Sequence, residues 1–120
     1  MWIWHTNRGE MTRYGVFIAS GFSGWLFGRN CTLYDHDKKY GALPRGSYVI
    51  LPIRSSERLG KFALPLIPLS NVNTYGRRDF AIRGISLHVN PEDAAHGIHV
   101  DVEIRKIIAV SGDNLLEVVW

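Results

Sequence analysis

Cysteine is almost absent. Cys31 stands alone among 120 residues, which excludes an intrachain disulfide and any thiolate metal cluster. No stretch approaches the roughly 20 apolar residues that cross a bilayer as a helix. The amino terminus, Met1-Trp-Ile-Trp-His-Thr-Asn-Arg8, lacks the basic region and apolar run of a Sec-type signal. Charge of one sign is not concentrated either. Lys plus Arg is 14 against 11 for Asp plus Glu, a formal +3, and basic residues pair only at Lys38-Lys39 and Arg77-Arg78. Nucleic-acid footprints are denser and interleaved with stacking aromatics. The expectation is therefore no nucleic-acid partner and no membrane insertion. Long helical periodicity is scarce as well.

What is present suits one small folded domain spanning 1–120. Hydrophobic residues are 46% and charged residues 21%, and a chain of this length can bury about two thirds of its unfolded surface around one core. Gly and Pro punctuate it throughout. Trp2 to Thr6, the Asn7-Arg8-Gly9 turn, and Glu10 to Ser20 predict an amino-terminal hairpin or meander. Gly21-Phe-Ser-Gly24 and Gly28-Arg-Asn30 open a polar stretch to Tyr40, in which Asp35 to Lys39 reads as a solvated loop. Gly41 to Gly46 is a turn and Ser47 to Ile53 a β-branched strand. Pro65 places the apolar run Phe62 to Ile67 at a sheet edge or bulge. Phe80 to Arg83 is a short buried strand, and Leu115 to Val119 closes the chain as another. One helix is expected near 101–110: Val102, Ile104, Ile107 and Ile108 sit near helical spacing, with carboxylates early and Arg105-Lys106 late, as the helix dipole prefers.

The motif Gly41-x-x-Pro-x-Gly-x-Tyr-x-Ile50 is similar to the strand entry of YkuD-type L,D-transpeptidases. In succession, Gly21 to Gly24, Gly28 to Asn30, the Gly41 motif, Leu64 to Pro68, Asn73 to Arg78, Phe80-x-Ile-x-Gly84 and Arg105 to Val119 resemble the small type VI secretion L,D-transpeptidase effectors, which attack peptidoglycan. The resemblance implies a mostly β sandwich or barrel with one short helix. It also implies no cofactor or metal, synthesis in the producer's cytoplasm without a Sec signal, and delivery by type VI secretion to a target periplasm. Oligomeric state is left open.

That family uses a cysteine thiolate, deprotonated by a histidine, to form a thioester on the stem peptide. Both positions depart here. Arg83 stands where the histidine belongs, and in Ala95-His96-Gly97-Ile98 Ala95 replaces the serine and Ile98 the cysteine, while Gly97 is kept as the turn that aims the nucleophile. Isoleucine has no lone pair to attack a carbonyl, and arginine holds its proton at any physiological pH. The resemblance therefore implies a catalytically inactive or strongly impaired homologue whose cleft binds a peptidoglycan stem peptide or a protein partner. Arg83, His96, Asn30, Ser23 and Trp25 are the binding candidates, and Arg83 is suited to fork onto a carboxylate.

Two alternatives stay open: an active effector using substitute residues, and a protein–protein interaction module. Cys31 is the candidate substitute nucleophile, paired with His96 or His99. His88, His96, His99 and Asp101 are dense, but no zinc spacing supports a metal site. Adjacent Glu92 and Asp93 would point to opposite faces of a strand, so an Asn-Pro turn and helix cap is the expectation there. Trp2, Trp4 and Trp120 are expected in the core, with Trp25 as the partner contact.

Overall fold

The structure is a computed structural model that describes residues 1–84 and 96–120. Among the described residues, ten strands and one helix make it mostly β. The expected meander forms first: β1 (Trp2–His5), β2 (Glu10–Arg13) and β3 (Val16–Ser20) pair antiparallel in turn. β4 (Phe22–Ser23) follows, then 3₁₀ turns at Leu26–Gly28 and Thr32–Tyr34. Next come β5 (Gly46–Ile50), β6 (Arg54–Ser56), β7 (Gly60–Pro68), β8 (Ala81–Arg83) and β9 (Gly97–His99). Helix α1 (Val102–Val110) and β10 (Leu115–Val119) complete the chain. No helix among the described residues is long and apolar enough to cross a membrane.

Strand order is β3-β2-β1-β10-β5-β7-β8-β9-β4, with β6 also paired to β7. The two end strands, β3 and β4, are joined in sequence by Gly21 alone, so the sheet must curl until its edges meet. Gly21 makes that corner: its N–H donates to the Gly9 carbonyl at 2.9 Å, and a Cβ there would overlap the His99 carbonyl oxygen. β7 makes the opposite corner. Its far end, Leu66–Pro68, pairs with β5, its start with β6, and Leu64 and Pro65 with β8. This is a sandwich-like arrangement turned by strands that serve both layers.

Pro65 therefore lies inside a nine-residue strand with neighbours on both sides, not at an edge. Its missing N–H falls in the gap between the partners β5 and β6. There its carbonyl still accepts the Leu51 N–H at 2.9 Å, and only the return bond is lost. The β5 strand ends at Ile50, three residues earlier than the β-branched run suggests.

Alternation builds the core. Trp2 and Trp4 face inward from β1, Leu116 and Val118 from β10 in parallel register, and Tyr48 and Ile50 from β5. Leu64, Leu66, Ile82 and Ile98 join them, with Ile108 from α1. Four expectations fail here. Trp120 is 68% exposed and Ile107 49% exposed. Asp35 is 5% exposed rather than solvated, because Arg45 Nε donates to its Oδ2 at 3.2 Å. Arg105 turns back instead of serving the end of the helix: Nε donates to the Val100 carbonyl at 3.2 Å, and Nη1 to those of Lys61 at 2.8 Å and Phe62 at 3.1 Å.

Candidate functional site: a groove beside β9

β8 and β9 run parallel with Ala81 opposite Gly97, Ile82 opposite Ile98 and Arg83 opposite His99. β4 flanks β9 antiparallel, with Phe22 opposite His99 and Ser23 opposite Ile98. The period of two along a strand then separates two faces. Ile82 and Ile98 enter the core, both fully buried. Phe22, His99 and Arg83 form a row on the other face.

That row is an aromatic and cationic ladder. The His99 imidazole stacks on Phe22 with centroids 4.7 Å apart and planes at 15°. The Arg29 guanidinium lies over the Phe22 ring at 4.3 Å. Stacked rings and a cation over a ring each contribute about 0.5–1.5 kcal/mol beyond simple burial. Beside the ladder runs a groove of about 580 Å³, in which Phe22 and His99 meet Gly84, Asp101, Ile104 and Arg105. Burial pulls the Arg105 pKa below its ordinary value, and the neighbouring Asp101 charge opposes that; the side chain is a cation at neutral pH. The groove thus has an aromatic side, a fixed positive charge held by backbone carbonyls, and one exposed carboxylate.

No family model, curated protein or solved structure matches the chain.

The structure does not gather the sequence candidates into one cleft. Arg83 shares the row with His99 and Phe22 but is 4% exposed and is not part of the groove lining. Ile98 is on the neighbouring strand but on the opposite face, so the two positions share no surface. Gly97 is not a turn. It opens β9, packed so closely on β8 that a Cβ would overlap the Ala81 carbonyl oxygen. Ala95, His88, Glu92 and Asp93 lie outside the described residues.

Ser23 is completely buried, and its hydroxyl is committed twice: it donates to the Gly97 carbonyl at 2.6 Å and accepts the Leu43 N–H at 2.8 Å. Asn30 fastens the same loop, its Oδ1 accepting the Ser23 N–H at 2.9 Å. His96 is half-buried at the start of β9. Trp25 is half-buried, its backbone N–H donating to the Tyr40 carbonyl at 2.9 Å. Cys31 is half-buried at the start of the second 3₁₀ turn, and no hydrogen bond joins its Sγ to a histidine among the described residues. Among those residues no group of three His, Cys, Asp or Glu side chains is placed to hold a metal ion.

Sequence reasoning passed over two groove residues, Phe22 and Arg105, and Arg29, which lies over the Phe22 ring. Phe22 lies inside the quoted Gly21 to Gly24 motif, but its partner is 77 positions away in sequence, and no local pattern announces that pairing. His99 and Asp101, two positions apart and so on one side of an extended run, both line the groove.

Proposed function

We propose that this chain is a non-catalytic binding domain on a frame like that of the peptidoglycan-directed L,D-transpeptidase effectors, and that the groove beside β9 takes a peptidoglycan stem peptide. The observation that carries the reading is the division of faces at β9. The position corresponding to the nucleophile, Ile98, belongs to the core, while its neighbour His99, 3% exposed, is stacked on Phe22 in the wall of an open groove. A thioester step needs an attacking atom with a lone pair and a base within about 2.6–3.2 Å of it. The described groove residues offer a carboxylate, an imidazole stacked on a ring, a guanidinium and the Ser20 hydroxyl, and no thiol.

Binding is well supplied. Stem peptides carry free carboxylates and apolar side chains, and a guanidinium next to an aromatic wall suits both. Titrating an L-alanyl-D-glutamyl-diaminopimelyl-D-alanine tetrapeptide into labelled protein should shift the His99, Asp101 and Ile104 amide signals saturably. Arg29→Ala, which leaves the buried network intact, should weaken the complex several-fold. Absence of saturable shifts at millimolar peptide would end the stem-peptide reading. Release of D-alanine, followed by mass spectrometry, would replace it with an active enzyme.

A further inference from the structure

A second concavity, of about 360 Å³, lies between Arg45–Gly46, the 71–75 loop and the β10 strand. Two aromatic rings wall it: Trp120, 68% exposed, and Tyr75, 38% exposed. Its polar side chains are anchored, Asn71 at both ends of its amide and the others by one arm. Arg45 lies 4.7 Å over the Trp120 ring while its Nε holds Asp35 Oδ2 at 3.2 Å. Ser47 Oγ donates to Glu117 Oε2 at 2.7 Å and accepts from Asn71 Nδ2 at 3.0 Å. Asn73 Oδ1 accepts the Tyr75 N–H at 3.0 Å.

The other arms are uncommitted. Among the described residues no hydrogen bond uses the Arg45 terminal nitrogens, Asp35 Oδ1, Glu117 Oε1, Asn73 Nδ2 or the Tyr75 hydroxyl. Donors and acceptors therefore alternate around a concave wall with aromatic sides, in side chains already fixed in place. Such fixing removes much of the ordering cost of binding.

This inventory selects among ligand classes. One guanidinium against two carboxylates, Asp35 and Glu117, does not favour an anion, and Arg45 over the ring opposes a cation. An apolar ligand would leave the polar arms desolvated and unpaired. A neutral sugar fits: every hydroxyl both donates and accepts, and the C–H face of a pyranose is an apolar plate for an aromatic ring. We propose that this concavity binds a neutral saccharide, with Trp120 as the stacking platform and Arg45, Asp35, Asn73 and Glu117 reading its hydroxyls. The proposal stands independently of the groove beside β9.

The probes are trisaccharides of β-1,4-linked N-acetylglucosamine and of β-1,4-linked glucose, added to the full chain and followed by amide and indole NMR. At least one should give saturable shifts of the Trp120 indole N–H and the Asn73 side-chain amide. Trp120→Ala and Asn73→Ala should each weaken binding by about tenfold. The bond from the Asn7 N–H to the Trp120 backbone carbonyl is retained in the first variant, so its melting temperature should stay near that of the parent. No saturable shift with either sugar at about 10 mM, the weak end of measurable affinity, would overturn the proposal. So would binding whose affinity Trp120→Ala leaves unchanged, or shifts centred on Phe22 and His99.

Discussion

Replacing Arg77 with alanine should release the loop from Asp35 to Ala42 and cost a large part of the fold's stability. Arg77 is 5% exposed. Its Nη1 donates to the Asp35 and Ala42 carbonyls, each at 2.6 Å, and its Nη2 to the Gly41 carbonyl at 2.9 Å. Burial lowers its pKa, and Tyr48, Asp35 and Asp37 offset part of that shift. A charged donor contributes about 1.5–3 kcal/mol per bond, and an orphaned buried carbonyl costs about 1–3 kcal/mol. Partial rehydration of the loop offsets some of this, which leaves about 3–5 kcal/mol, the size found when one partner of a buried charged network is removed. With an unfolding entropy of about 2.1 cal/mol/K per residue over this length, that is a fall in Tm of about 12–20 °C. Calorimetry on the parent, Arg77→Ala and Arg77→Lys reads it directly. The lysine variant keeps a cation but cannot span three carbonyls, so it should lose about half as much. A loss below about 1 kcal/mol in Arg77→Ala would refute the clamp, since even one orphaned carbonyl should exceed that.

Asp113 should give acid sensitivity. Burial alone would raise its pKa, but the Met1 ammonium at 2.7 Å, the Leu115 N–H and Arg13 Nε at 3.2 Å outweigh that and hold it below the ordinary carboxylate value. A depressed folded pKa means stability that is present above about pH 4 and is lost as pH falls through the folded value. The denaturant midpoint of the parent should therefore drop more steeply on acidification than that of Asp113→Asn, and parallel profiles would contradict the assignment. At β9, Ile98→Cys in a Cys31→Ser background should react with a thiol reagent only at the rate of global opening, because Ile98 is fully buried. Adding Arg83→His should not change that, and reaction at the speed of a free thiol would place position 98 in the groove after all.

Much of the β scaffold is legible in the chain because its information is local. The alternation of Trp2 and Trp4 with half-buried neighbours, and of Leu116 with Val118, is a period-two signal that survives into the observed register. Asp101 before Val102 and Gly112 after the last turn mark the helix ends within a residue or two. The exceptions are long-range. Pro65 reads as an edge residue because a missing N–H is normally costly, but a corner between two partner strands leaves a place where the bond is not needed. The roles of Arg77 and Arg105 escape a local reading because all but one of their acceptors are backbone carbonyls 35 to 44 residues away, which composition cannot assemble.

The site was harder to read for a sharper reason. Motif order and spacing can align Arg83 and Ile98 with a catalytic pair, but order carries no parity. Which of two adjacent residues faces the groove depends on the register of the strand, and a shift of one position moves every side chain to the other face. Here Ile82 opposite Ile98 sets that register, with both side chains in the core, so the residue that reaches the groove from β9 is His99. Chemistry argued from position 98 alone therefore concerns the core, and the wall of the groove is set one residue later, where a buried imidazole lies stacked on Phe22.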